Sequence, residues 1–352
     1  MSSDGGAITY DVNDLDIYDF FNYWPSLALA ITALCLFTVA AAVIGFMTER
    51  RKVYRFVHCI TVTGLLEAAG YAALIYAIEK SGKSSVFNAY VAMQVLVVLS
   101  PNVIQAAMYW QVGLVLAFSP DLTRGRRMLR GWVITTVFAC ADLFALIVQA
   151  IGISIWASSQ SSGTPDQGQI RLGCGITLAG LAIQLICFVL FTLLTAWVQR
   201  HPKNGLLGLP TTRRMFVGLY LAMAFLYIRN IFRFVEFAQA TILEWPAPED
   251  AYVLSEQQVL FYTLDTLPIL LVMACYILFH PGYLLPAGGP AAARAAAAAA
   301  APAGAITAVD GAVTAVDVVD FPKSQQTQQG QQQQDSPKDG DDLKMVTVDL
   351  HS

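Results

Sequence analysis

Three charged side chains lie inside an otherwise apolar stretch, in the segment RNIFRFVEF at residues 229–237. Arg229, Arg233 and Glu236 are spaced i, i+4 and i+7, so a helix places them in one stripe on one face. A guanidinium keeps its charge in any setting and can hold a neighbouring carboxylate ionised. A carboxylate left over from such pairs can titrate or meet a cationic group. The spacing therefore predicts buried ion pairing.

Other apolar stretches also contain polar side chains, namely Glu67, Gln94, Asn102, Gln105, Asp142, Gln149, Gln184 and Asp265. One charge at the centre of a bilayer costs about 2.5–3.5 kcal/mol, so four acids and two arginines facing lipid would cost on the order of 15–20 kcal/mol. We therefore expect them to face the interior of a helix bundle, with Glu67, Asp142 and Gln184 about 16 Å from a helix end. Four acids against two arginines leave two carboxylates that can titrate or meet a cationic group.

A purely structural interpretation of these polar side chains stays open. Buried glutamines and ion pairs also join membrane helices, at roughly 0.6–2 kcal/mol each. This interpretation suits Gln94, Gln105 and Gln184 best. The ionisable groups favour function more strongly, because an apolar bundle can be built without any of them.

The elements that must position these residues are seven long apolar segments. The chain has 352 residues, of which 56% are hydrophobic and only 13% charged, against roughly 25% charged in soluble domains. Each segment approaches or exceeds the roughly 20 residues that cross a bilayer as a helix. The sequence predicts an all-α membrane protein with spans at 25–47, 56–78, 87–118, 131–157, 173–198, 215–243 and 259–281, the third of them bent at Pro101.

Basic residues alternate between the loops of this predicted bundle. Twelve lie in the first, third and fifth loops, and only three lie in the second, fourth and sixth. The positive-inside bias predicts an outside N-terminus and a cytoplasmic C-terminus. We therefore divide the chain into an acidic extracellular segment at 1–24, a seven-helix domain at 25–283 and a low-complexity, disordered cytoplasmic tail at 284–352.

Several kinds of chemistry lack their usual sequence patterns. The six cysteines form no CxxC pair and the four histidines show no HExxH spacing, so no metal site is expected. No GxxxxGK[ST] motif occurs, which disfavours ATP hydrolysis by that route. We expect no cofactor, no enzymatic activity and no nucleic-acid partner. Protein partners are left unassigned.

Motifs in the second to seventh spans resemble those of one known family, in the same order and spacing. They are EAAGY, SPNVIQAAMYW, ADLFALIVQAIG, GITLAGLAIQLICF, RNIFRFVEF and EQQVLFYTLDTLPILL followed by HPG. They resemble the fungal RTA-like family of seven-span proteins, described as lipid-translocating exporters. The matching polar positions are Glu67, Tyr71, Asp142, Gln149, Gln184, Arg229, Arg233, Glu236 and Asp265, and the matching structural positions are Gly70, Pro101, Tyr109, Gly180, Pro268 and Pro281.

The resemblance implies movement of amphiphilic lipids, such as sphingoid long-chain bases, and resistance to toxic sterol-like amphiphiles by export or flipping. It also implies a multi-pass protein, expected in the plasma membrane, whose partners are membrane lipids and an amphiphilic small molecule. The polar positions would then bind substrate or form the supporting polar network. The energy source stays open between downhill movement, proton coupling through a carboxylate and dependence on another protein.

A seven-span lipid sensor or receptor-like regulator, signalling through the tail, is the alternative. Its topology would be the same. However, AFSPDL stands where receptors carry DRY at the end of the third span, and the seventh span has no NPxxY. The sixth and seventh spans also contain no lysine for a retinal Schiff base.

Overall fold

The structure is a computed structural model that describes residues 23–51, 54–80, 86–119, 130–161, 167–201, 210–242 and 258–285. Nearly all of the predicted acidic segment and of the predicted tail therefore lies outside the described residues. Within them, no strand occurs and almost every residue is helical. The predicted all-α class is confirmed.

The helices follow the predicted segments in order. They are α1 Leu27–Arg51, α2 His58–Glu79, α3 Val86–Ala117, α4 Gly131–Ser161, α5 Gln167–Arg200, α6 Pro210–Ile242, α7 Gln258–Phe261, α8 Leu267–Leu278 and α9 Pro281–Leu284. A 3-10 turn, Arg55–Val57, leads into α2, and a π-helix, Tyr262–Thr266, joins α7 to α8. We call the stretch from α7 to α9 the seventh span.

Among the described residues, helices α1 to α6 and the seventh span are each long and apolar enough to cross a membrane. The chain is a multi-pass integral membrane protein. Several helices extend beyond the predicted spans: α5 begins at Gln167 rather than 173, and α6 at Pro210 rather than 215. The prediction followed apolar residues, whereas helical hydrogen bonding continues into the polar flanks of a span.

Consecutive spans pack side by side and run antiparallel, and the seventh span also packs against α1. We call the end of the bundle where α1, α3, α5 and α7 begin the Tyr23 end, and the opposite end, where α1 and α5 finish at Arg51 and Arg200, the basic end. Aromatic side chains such as Phe37 and Phe188 fill the interior, while large apolar ones such as Leu193 lie exposed on the outside. That outside is the surface expected to meet lipid.

Close helix contacts depend on glycines at two of the predicted structural positions. A Cβ atom on Gly70 of α2 would lie 3.1 Å from Val97 Cγ2 on α3. A Cβ atom on Gly180 of α5 would lie 2.8 Å from the carbonyl oxygen of Ala145 on α4. Glycine therefore lets the backbones of α4 and α5 approach more closely than alanine would.

Two prolines alter the helical hydrogen bonding without ending a span. α3 continues through Pro101, although proline has no N–H to donate to the carbonyl four residues earlier, which belongs to Val97. Pro268 in the first turn of α8 likewise cannot donate to Leu264, within the π-helix. Short π-helical segments are uncommon and often occur at functional sites. This one carries Asp265.

A third proline, Pro281, begins α9, where the missing N–H costs nothing because no carbonyl of the helix precedes it. His280 caps this helix, because its Nδ1 accepts from the Gly282 N–H at 3.0 Å. The other ring nitrogen, Nε2, lies 3.2 Å from Thr48 Oγ1 on α1. His280 and Pro281 thus join the end of the seventh span to α1 at the basic end.

Candidate functional site

Arg233 lies at the centre of a buried polar network. Its Nε and Nη2 donate to the two carboxylate oxygens of Asp265 at 2.9 and 2.7 Å, a bidentate pair between α6 and the π-helix. Its Nη1 donates to Glu236 Oε2 at 3.0 Å and to Gln94 Oε1 on α3 at 3.4 Å. Such paired contacts are the arrangement in which a buried guanidinium is stable.

Arg229 contacts the same aspartate from one helical turn away. Its Nε lies 2.9 Å from Asp265 Oδ1, close enough for an ion pair, but the N–H is not aligned for a hydrogen bond. Its Nη2 donates to the carbonyl oxygen of Val97 on α3 at 2.8 Å. This is the carbonyl that Pro101 leaves without a helical donor, so a structural proline and a charged residue meet at one atom.

Glu67 on α2 lies beside this network and does not join it directly. Ser100 on α3 donates a short hydrogen bond to Glu67 Oε1, and Ser100 also lies within 3.3 Å of the Val97 carbonyl. Within the residues that the structure describes, Glu67 forms no ion pair, although both arginines are near enough to interact with it electrostatically.

Aromatic side chains surround the network toward the Tyr23 end. The Tyr71 hydroxyl oxygen lies 2.5 Å from Thr266 Oγ1, and the Tyr71 ring stacks on those of Phe37 and Tyr262. The phenol of Tyr23, just before α1, interacts electrostatically with Tyr262 and Glu236, and burial raises the pKa of this phenol well above its ordinary value. These interactions place Tyr23 close to Glu236.

Glu236 differs from its partners in its access to the surroundings. Its side chain is 25% exposed, whereas those of Arg233 and Asp265 are 1% and 2% exposed. Glu236 is therefore the most exposed of the charged side chains in this network.

A second polar cluster lies between α3, α4 and α5. Tyr109 donates to Asp142 Oδ2 at 2.5 Å. Gln149 Nε2 donates to Gln184 Oε1 at 3.0 Å, and Gln184 Nε2 donates to Gln105 Oε1 at 2.9 Å. Gln184, one of the glutamines that suited helix joining best, thus bridges three helices.

The charges divide unequally between the two clusters. Arg229 and Arg233 face Asp265 and Glu236, so two cations oppose two anions. The two surplus carboxylates counted in the sequence are therefore Glu67 and Asp142. Neither forms an ion pair in the described part of the chain, but only Glu67 has arginines within electrostatic reach.

Sequence reasoning missed several contributors to these clusters. The missed contributors are Ser100, which bonds Glu67, and Thr266, whose hydroxyl contacts that of Tyr71. The third is the Val97 carbonyl, which accepts from Arg229. Serine and threonine in helices usually bond their own backbone, so their presence alone carries little signal. The proline at 101 was the available signal for Val97, because it marks the carbonyl four residues earlier as unpaired.

Comparison with known proteins gives a consistent family. The family model described as RTA1 like protein matches residues 60–288. The chain is 23% identical over 296 residues to Protein RTA1 of Saccharomyces cerevisiae, covering 76% of this chain and 86% of that protein. No solved structure matches.

Two further relatives have names that refer to lipids. The Probable lipid transporter atnI of Emericella nidulans is 25% identical over 42% of this chain and 39% of its own length. The Lipid-translocating exporter-like protein RTA1 of Leptosphaeria maculans is 22% identical over 75% of this chain and 51% of its own length. On the family match, which covers most of the membrane domain, the chain belongs to the RTA1-like protein family.

Proposed function

We propose that this protein moves amphiphilic lipids across the membrane and is not an enzyme. The observation that carries the proposal is Glu236, a partly exposed carboxylate at the edge of a buried ion-pair network in a seven-span bundle. The names of two relatives, which refer to lipid transport and lipid translocation, support the same function. The preferred substrates are sphingoid long-chain bases and sterol-like amphiphiles that carry an amine.

The chemistry of Glu236 suits a cationic head group. An ammonium group can take the place of Arg233 at Glu236 Oε2, forming charge-assisted hydrogen bonds of comparable strength. Arg233 keeps its bidentate contact with Asp265 during such an exchange, and Asp265 is then the carboxylate that Arg229 and Arg233 share. The ring of Phe261, whose centroid lies 5.6 Å from Arg233 Cζ, can add cation–π attraction of about 0.5–2 kcal/mol. The alkyl tail stays in lipid or between helices.

The direction of entry follows from the expected orientation. Basic loops favour a cytoplasmic basic end, which leaves the Tyr23 end outside and the C-terminus inside. Glu236 would then be reached from the outer leaflet, as suits release of exported lipid. We place the protein in the plasma membrane.

Efflux from cells tests this proposal. Wild type and Glu236→Gln are expressed at matched surface levels in cells lacking their own copy, and efflux of a labelled long-chain base is followed. We expect efflux with wild type and its loss with Glu236→Gln. The control is Glu79→Gln, which removes an exposed carboxylate from the same end of the bundle.

Two results would count against the proposal. Unchanged efflux with Glu236→Gln would make the network a means of joining helices. No efflux even with wild type would favour the lipid-sensor alternative, in which binding is read out through the C-terminal tail.

A further inference from the structure

Asp142 is a buried acid that the arginine network does not use. Its side chain is 4% exposed and lies on α4, eleven residues after Gly131, which is about 16 Å along the helix. One carboxylate oxygen, Oδ2, accepts from Tyr109, while the other, Oδ1, is buried and has no hydrogen-bond partner.

The groups that face Asp142 supply no positive charge. The Tyr109 phenol on α3 donates a hydrogen bond to Asp142. The Cys187 thiol on α5 lies near enough to Asp142 to interact with it electrostatically. No arginine, lysine or histidine contributes to its electrostatic environment among the described residues. An unpaired carboxylate at this depth in a membrane is unfavourable. Binding a cation removes that cost.

A row of hydrogen-bonded glutamines lies on the Tyr23 side of Asp142. Gln149 lies on the same face of α4, seven residues or about 10 Å further along. It donates a hydrogen bond to Gln184, which in turn donates one to Gln105. Gln149 Oε1 and Gln105 Nε2 are both buried without a partner. One free acceptor and one free donor are the groups that hold internal water.

We propose that Asp142 is the proton-binding site of a proton-linked translocation cycle, which rests on the proposed function. In the loading step, Oδ1 takes a proton from a hydronium ion and water is released. In the unloading step, water takes the proton back and the carboxylate is restored. Tyr109 keeps its own proton on the bond to Oδ2 throughout. The proton, rather than a metal cation, fits a site with one free oxygen and no second carboxylate among the described residues around it.

Infrared titration tests the site without any transport. The full-length protein is placed in lipid nanodiscs and its spectrum is followed as pH is varied. We expect a C=O stretching band of a protonated carboxylic acid that is lost in Asp142→Asn and retained, at a shifted position, in Asp142→Glu. Glu79→Gln, which alters an exposed acid, should keep the band. Spectra of wild type and Asp142→Asn that do not differ would overturn the proposal.

Proteoliposomes test the coupling. A labelled long-chain base is offered with no gradient, with a proton gradient and with a sodium gradient. We expect equilibration without a gradient, and accumulation beyond that of protein-free liposomes with the proton gradient alone. Protein-free liposomes are required because a weak base is also trapped passively by a pH difference. Liposomes containing Asp142→Asn should accumulate no more labelled base than protein-free liposomes do. Those containing Asp142→Glu should retain part of the accumulation driven by the proton gradient.

The outcomes separate the two proposals. Equilibration by wild type without any gradient-driven accumulation would contradict proton linkage and leave lipid translocation standing. Accumulation under the sodium gradient alone would also contradict it, by identifying a different cation. No equilibration at all would contradict the proposed function, and the infrared titration would still decide whether Asp142 binds a proton.

Discussion

Arg229 donates to the carbonyl oxygen of Val97 at 2.8 Å, across the interface between α6 and α3. In an uninterrupted helix this oxygen would accept from the N–H of residue 101, but residue 101 is proline. Pro101 thus leaves this carbonyl without its helical donor, and the buried guanidinium uses it as an acceptor. The pairing explains why a helix breaker lies in the middle of a membrane span beside a charged residue.

Pro101→Ala should therefore weaken transport although it improves the helix. The new N–H competes for the Val97 carbonyl, and a buried arginine deprived of an acceptor costs about 1–3 kcal/mol. We expect reduced long-chain base efflux at a normal surface level. Val103→Ala, at a half-buried position two residues further along α3, leaves the carbonyl unchanged and serves as control. Equal efflux in both variants and wild type would show that the Arg229 contact is dispensable.

Asp265 should be the most costly acid in the network to remove. It faces both Arg229 and Arg233, so Asp265→Asn leaves two buried cations with one carboxylate, Glu236. Breaking a buried pair from one side costs about 3–5 kcal/mol. Thermal unfolding of the purified protein, followed by circular dichroism, should show a clear loss of stability.

A double variant makes the test of Asp265 specific. Adding Arg229→Gln to Asp265→Asn removes one of the orphaned charges, so the double variant should be less destabilised than the sum of the two single variants. Strict additivity of the two single changes would contradict the pairing of Arg229 with Asp265.

Two glycines on α5 should respond to alanine with opposite signs. At Gly180 the added Cβ would lie 2.7 Å from Gln149 Cγ and 2.8 Å from the Ala145 carbonyl, so α4 and α5 must separate. The expected destabilisation is about 1–3 kcal/mol. At Gly175 the nearest atom, Thr241 Cγ2, is 4.0 Å away, and alanine should stabilise the helix by about 0.5–1 kcal/mol. Thermal unfolding of the two variants checks this contrast. Similar shifts in both would contradict the close approach at Gly180.

The sequence predicted the seven spans well, because only long apolar segments can satisfy their backbone in lipid and charged side chains must then turn inward. The same argument turned Arg229, Arg233 and Glu236 toward the bundle interior and predicted buried ion pairing for them. It could not predict that Arg229 would use a backbone oxygen or that Glu67 would bond Ser100, since both depend on the packing of α3. The apolar pattern also could not predict the helix ends, because α5 and α6 continue into polar flanks where hydropathy gives no signal.

The charge count illustrates the same limit. The sequence shows four acids against two arginines, but it does not show which acids are paired. Only the packing identifies Glu67 and Asp142 as the carboxylates without an ion pair in the described part of the chain, and only Asp142 as the one remote from both arginines. That distinction separates the proposed head-group site at Glu236 from the proposed proton site at Asp142.

Recognition of an ammonium head group by the network can be tested with a pair of lipids. The purified full-length protein is reconstituted into liposomes, and translocation is measured for a fluorescent long-chain base and for its N-acetylated form, which has the same tail and no charge. Ammonium recognition predicts that the charged lipid crosses faster than in protein-free liposomes and that the acetylated lipid does not. Equal acceleration of both lipids, or of neither, would contradict it.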